Sequence, residues 1–274
     1  MRPEIGAHLD HVVLAALTPE RVAHSLGAIV SMAVRPHGDA WLCEGPARTL
    51  LVTAGRRNTV ALIGFRFDDQ RDLEAYRARL QSEDAPLRPS SSTLFGATAF
   101  ELIDPDGMRI AFGVRRAHPL SGEAATLQHL GVRTTDPERM QAFYQDTLHF
   151  VLSDRIEDDV GILRAAFLRS DAAHHAIAIF RAPESRLDHL SFDAPDMIAI
   201  RDWADHVGRI KVPIFWGVGR HGPGNDLFFM VQDVEENLVE ISSELEVCAP
   251  ERPASRWPYN KWTMNLWGIP FMRS

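Results

Sequence analysis

Along this chain, short runs with apolar residues at every second position alternate with longer runs whose apolar residues recur every three to four. The first spacing predicts strands with one buried face, the second amphipathic helices. Residues 9–21 (LDHVVLAALTPER) and 127–139 (LQHLGVRTTDPER) show both in succession and match each other at an offset of 118 without a gap. In each copy a short apolar strand carries a histidine at its third position, His11 or His129. A capping residue follows, Thr18 or Asp136, and then a proline at the first helical position, where its missing N–H costs nothing. Met140, Phe143 and Tyr144 supply the apolar stripe of the second of these helices.

The rest of each copy runs in parallel. Strand-like segments follow at 40–43 and 49–52 in the first half and at 165–168 and 176–180 in the second. Strands at 61–67 and 187–192 come next, each before a further helix and each ending in a Phe-Asp pair, Phe67-Asp68 and Phe192-Asp193. Hairpins close the halves, 97–103 with 108–114 and 227–231 with 238–243. The first turns on Asp104-Pro-Asp-Gly107, a strong turn signal. The expectation is an α+β chain of four β-α-β-β-β modules, paired as an N-terminal domain over 1–116 and a C-terminal domain over 125–274. The polar stretch 116–126 (RAHPLSGEAAT) would link them.

Composition narrows the functional classes. With 274 residues, 45% of them hydrophobic and 24% charged, the chain can bury a substantial core. A formal charge of −8 speaks against nucleic acid or an anionic membrane as partner. The two cysteines, Cys43 and Cys248, lack metal-ligand spacing and make no disulfide framework. No signal-like run opens the chain and no segment is long enough to span a bilayer, so a cytoplasmic setting is expected.

The chemistry lies in the second half. His129, His189 and Glu240 each sit in a predicted strand. Two imidazoles and one carboxylate on one face of a curved sheet can hold a divalent metal from one side, leaving the other open for substrate and dioxygen. With twelve histidines in the chain, such a trio gains weight only from the repeat that frames it. Structural zinc is disfavoured, because it prefers four closed ligands rich in cysteine. The first half cannot match the trio. Superposing the Phe-Asp pairs sets Gly64 at the place of His189, and superposing Asp104 on Asp233 sets Ala111 at that of Glu240. Only His11 remains, and it is expected to be a packed or hydrogen-bonded strand residue.

Residues 219–229 (GRHGPGNDLFF), followed by Val239-Glu240 in the returning strand, resemble the vicinal oxygen chelate superfamily, and within it the two-domain extradiol ring-cleavage dioxygenases. The resemblance implies that each pair of modules wraps into an incomplete barrel, the first vacant and the second holding Fe(II), or Mn(II) in some members. It implies a small aromatic diol and O2 as substrates, and homo-oligomers. His175, second of the pair His174-His175, takes the place of the family's acid–base histidine, with His174 on the other face. His221 takes the place of a histidine beside the bound substrate. Nine residues further on, where the family has a tyrosine that bonds the substrate oxygen, this chain has Met230.

Met230 should face Glu240 across the hairpin and line the cavity. The tail 257–271 holds three of the six tryptophans and is expected to dock on the barrel. Phe215, Trp216, Met230 and Tyr259 would then form a substrate-binding wall suited to a bulky or bicyclic catechol. Because a thioether donates no hydrogen bond, two other readings stay open. One is a metal-dependent reaction of another type; the other is a protein that binds aromatic ligands without catalysis.

Overall fold

The computed structural model describes residues 4–116 and 125–272, so residues 117–124 of the expected linker lie outside the described residues, while Thr126 already opens a strand. The first half runs β1 (His8–Ala16), α1 (Pro19–Ile29), β2 (Ala33–His37), β3 (Ala40–Gly45) and β4 (Arg48–Ala54). It continues through β5 (Thr59–Arg66), α2 (Gln70–Ser82), β6 (Arg88–Pro89), β7 (Phe100–Ile103) and β8 (Arg109–Gly113). The second half opens with β9 (Thr126–Thr134), α3 (Pro137–Ala142), a π turn over Phe143–Thr147, β10 (Val151–Glu157), β11 (Leu163–Arg169) and β12 (Ile177–Arg181). Then come β13 (Arg186–Ala194), α4 (Met197–Arg209), β14 (Trp216–Arg220), β15 (Leu227–Gln232) and β16 (Leu238–Ser243), followed by β17 (Ser255–Pro258) and α5 (Lys261–Met264).

The strands form two open sheets, ordered β2-β3-β4-β1-β5-β8-β7-β6 and β14-β15-β16-β13-β9-β12-β11-β10-β17. Read from opposite ends, the two orders coincide strand for strand, and β17 is the one addition. The four-module α+β expectation is met. The alternating faces do the sorting: Val239 and Ile241 join the large apolar core, whereas Leu238 packs in a smaller cluster with Met230. That large core continues from one half into the other, for example where Phe65 meets Phe150 edge-on at 5.2 Å. No helix among the described residues is long and apolar enough to cross a membrane.

Three helices are capped by the aspartate before them, Asp69, Asp136 and Asp196 each accepting a backbone N–H. Thr18 departs from expectation and makes no cap. Its hydroxyl instead donates to Glu235 of the second half at 2.6 Å.

Register corrects one assignment. Gly64 pairs with His11 in the first sheet, and Ser191 pairs with His129 in the second. Gly64 is therefore the counterpart of Ser191, and His189, which pairs with Gly131, corresponds to Leu62, which pairs with Val13. Both sheets carry the same register shifts on either side of this stretch, so the error lies in the Phe-Asp pairs themselves: Phe192 pairs with Leu127 as Phe65 pairs with Leu9, which makes Phe65, not Phe67, its counterpart. The conclusion survives, since Leu62 clusters with Phe95, Ala99 and Ala111 where the second half has its polar trio. His11 is buried there, its ring 2.7 Å from Asp10 and 2.9 Å from the Ser92 hydroxyl.

Candidate active site

Three adjacent strands, β9, β13 and β16, deliver His129, His189 and Glu240. Ser191 sits between His129 and Glu240 in register, and His189 lies two residues along the same strand, so all four share a face. The Ser191 hydroxyl donates to Glu240 Oε1 at 2.9 Å and fixes that carboxylate. Room for the His189 ring comes from Gly131 opposite it: a Cβ there would stand 2.5 Å from His189 Cε1.

The donor atoms converge. His129 Nε2 lies 3.2 Å from His189 Nε2 and 3.4 Å from Glu240 Oε1. Each ring is tied back through Nδ1, His129 to the side-chain oxygen of Gln128 and His189 to Asp188 at 2.7 Å. Asp188 is held in turn by Arg133 at 2.8 Å. With Nδ1–H donating, both Nε2 atoms present lone pairs to each other, an arrangement that calls for a cation between them. Ligands about 2.1 Å from an ion stand roughly 3.0–3.4 Å apart at right or tetrahedral angles, so these separations fit a bound divalent metal. Burial, only partly offset by Glu240, pushes His129 down to about 4, which keeps it neutral at neutral pH. Burial opposes ionisation of Glu240, yet the His129 and His221 side chains, each 3.4 Å from its oxygens, hold its carboxyl well below the usual range.

A cavity opens beside the trio. Ile156, Phe167, Ala178, Phe180 and Met264 give it apolar walls, and His175, His221, Asp226 and Thr263 give it polar ones. The His175 ring lies 4.2 Å from that of His129. Burial and the neighbouring His129 drive its pKa well down. Behind it runs a buried chain: His175 Nδ1 is 3.0 Å from His174 Nδ1, and His174 Nε2 is 3.1 Å from Asp154 Oδ2. His221 is stacked flat on Phe228 at 3.8 Å, donates Nδ1–H to the Met264 carbonyl at 2.8 Å, and reaches Glu240 Oε2 at 3.4 Å. Although burial alone would lower it, the Glu240 hydrogen bond and Asp226 raise the His221 pKa.

The expected substrate wall is the part that changes. Met230 does stand opposite Glu240, but it is fully buried among Trp216, Phe228 and Leu238, and the cavity lining includes neither it nor Trp216. Phe215 borders a different hollow between the halves, and Tyr259 packs on β10 and β11 residues, outside that lining, with Arg164 over its ring. The tail does dock, through β17 on β10 and through Trp257, which donates to Asp154 at 2.8 Å. It closes the cavity with Thr263 and Met264 instead of tyrosine. Trp262 and Trp267 remain more than half exposed, against the expectation that the aromatic tail would be covered.

Sequence reasoning missed Gly131, Asp188 and, above all, Asp226. Asp226 is buried in the cavity wall, and neither carboxylate oxygen has a hydrogen-bond partner among the described residues. Burial pushes its carboxyl up to about 7, against the pull of His221. An unsatisfied buried group of this kind costs about 1–3 kcal/mol. The available signal was its place in the Gly-Asn-Asp run that follows His221.

Residues 126–241 match the family model described as the Glyoxalase/Bleomycin resistance protein/Dioxygenase superfamily. The second half of the chain is thus similar to this superfamily, and its two open sheets have the vicinal oxygen chelate fold. Metapyrocatechase 2 of Cupriavidus necator is 28% identical over 191 residues, which take in 68% of this chain but 54% of the relative. The chain thus spans about half the length of that protein. Biphenyl-2,3-diol 1,2-dioxygenase of Pseudomonas sp. (strain KKS102) is 28% identical over 236 residues, 77% of this chain and 79% of the relative. Among solved structures, homoprotocatechuate 2,3-dioxygenase from Arthrobacter globiformis superposes with a TM-score of 0.80 over 98% of this chain and 90% of its own. At 19% identity that likeness is one of fold.

Proposed function

We propose that this chain is an extradiol dioxygenase that opens an aromatic vicinal diol with O2, using Fe(II), or alternatively Mn(II), held by His129, His189 and Glu240. The observation that carries the reading is the meeting of three donor atoms beside a cavity, with both imidazoles tied back through Nδ1. When bound, the ion would supply a template and Lewis acid for two adjacent substrate oxygens.

The other roles fall to the chain's own residues. Phe167, Phe180, Ile156 and Met264 exclude water and accept the flat face of a ring. The Asp154 carboxylate beside His174 Nε2 favours a proton on that nitrogen, so His174 Nδ1 accepts from His175 Nδ1–H. His175 then keeps its Nε2 lone pair available to take a substrate proton as general base. His221 spends Nδ1–H on the Met264 carbonyl and offers Nε2 as a donor next to Glu240.

The test is anaerobic reconstitution with Fe(II), then catechol or biphenyl-2,3-diol with dioxygen. One O2 consumed per diol and a coloured ring-opened product are expected. Full iron occupancy without oxygen uptake would overturn the reading in favour of another metal-dependent reaction. Failure to retain any divalent ion would leave ligand binding alone.

A further inference from the structure

We propose that Asp226 is a substrate-contacting residue of this cavity, whose carboxylate accepts a hydrogen bond from a substrate hydroxyl and so supplies the orienting contact that Met230 lacks. The inference rests on the diol reading above and adds a residue to it. Both Asp226 oxygens are buried and without a partner among the described residues, in the wall of the same cavity as His175 and His221. Buried polar atoms are almost always paired in a folded protein. A pair of orphaned acceptors facing a hollow therefore points to a ligand with a donor. A vicinal diol brings such a donor, and its ring suits the phenylalanines across the cavity.

The surrounding loop holds Asp226 in place. Its carbonyl accepts from His221 N–H at 3.0 Å, and Asn225 N–H donates to the Gly222 carbonyl at 3.2 Å. Gly224, at φ +76°, makes the turn between them, and a Cβ on it would crowd Asp226 Oδ1 at 3.3 Å and His174 Nδ1 at 3.1 Å. The loop thus leaves space for the carboxylate and aims it beside Glu240. Candidate ligand atoms of His221, Asp226 and Glu240 all lie within 4.8 Å of one another. Met230, by contrast, is sealed behind Glu240 and carries no hydrogen-bond donor.

The experiment compares wild type with Asp226→Leu and Asp226→Asn, each loaded with Fe(II) without oxygen and titrated with 4-nitrocatechol by absorbance. Metal content and melting temperature are measured in parallel. Asp226→Leu should bind the probe about 10–100-fold more weakly, a loss typical of one buried hydrogen bond to a charged group. Asp226→Asn, which keeps a polar contact, should recover most of that affinity. Iron should stay at one per chain, and the melting temperature of the leucine variant should hold or rise, because an unsatisfied buried carboxylate has gone. Unchanged probe affinity in Asp226→Leu, with an active wild type, would overturn this proposal alone. A second ion in wild type that the variants lose would overturn it too, by making Asp226 a metal ligand. Wild type that holds iron but neither binds nor opens any diol would sink the parent reading and this one with it.

Discussion

Gly131→Ala tests how the proposed metal site is built without touching any of its three donors. The added methyl would stand 2.5 Å from His189 Cε1 and 2.6 Å from Nδ1, while Phe180 at 3.1 Å blocks an easy shift aside. Ordinary contact begins near 3.4 Å, so the imidazole must retreat by about 1 Å. Metal–ligand distances tolerate only about 0.2 Å, so His189 leaves the coordination sphere. Altering a mere supporting group of a metal ligand typically costs 10–100-fold in affinity, and losing the ligand itself should reach at least the upper figure, about 2.7 kcal/mol. Equilibrium dialysis with Mn(II), or anaerobic calorimetry with Fe(II), reads the change directly. The matched control is Gly64→Ala, whose methyl would meet the His11 ring at 2.1 Å in the first sheet. It should cost about 1–3 kcal/mol of stability through overpacking and leave metal affinity alone. Wild-type metal affinity in Gly131→Ala would refute the assignment of His189 as a ligand.

Further outcomes follow from the same geometry. Asp188→Asn removes the carboxylate that orients His189 and should weaken metal binding about 10–100-fold, with a lower melting temperature because Arg133 loses its buried partner; unchanged affinity would show that the pair does not orient the ring. Met230→Tyr must fit a larger side chain among Trp216, Phe228 and Leu238, so it should lower stability by about 1–3 kcal/mol without raising turnover. A rise in oxygen uptake would show that its hydroxyl reaches the substrate. Asp193, half-buried with one oxygen unpartnered, has its carboxyl raised by burial from 3.8 to about 6. A raised acid binds its proton more tightly folded than unfolded, so stability falls as pH rises from about 4 to 6 and the penalty persists above. Asp193→Asn should therefore gain up to about 3 kcal/mol at pH 7 and nothing at pH 3.5 in urea titrations. An equal difference at both pH values would contradict this.

Much of the architecture was legible because it is periodic. The offset of 118 located both β-α openings, and strand alternation put Glu240 and Met230 on one face. What failed depended on features that carry no period. The Phe-Asp pair recurs two residues out of structural register, so Phe192 answers to Phe65 and the counterpart of His189 is Leu62, not Gly64. Met230 shared the ligand face yet stayed out of the cavity, because depth under Trp216 and Phe228 is a matter of packing. Thr18 met every local rule for a helix cap but found a partner some two hundred residues away in Glu235. Asp226 went unnoticed for a similar reason, as its orientation is set by the turn at Gly224.

The two sheets deal differently with the end strands that correspond to each other. The first leaves β2 open, blunted by Pro36, whose ring removes a donor from the edge. The second lays β17 along β10, pairing Asp154 to Glu157 with Ser255 to Pro258. The same ribbon carries Thr263 and Met264 over the cavity, so sealing an edge and roofing a pocket fall to one segment. A roof stitched down in this way is not a swinging door. Lifting it would strip backbone pairs and the Trp257 anchor together, so traffic through the pocket has to be managed with that panel in place.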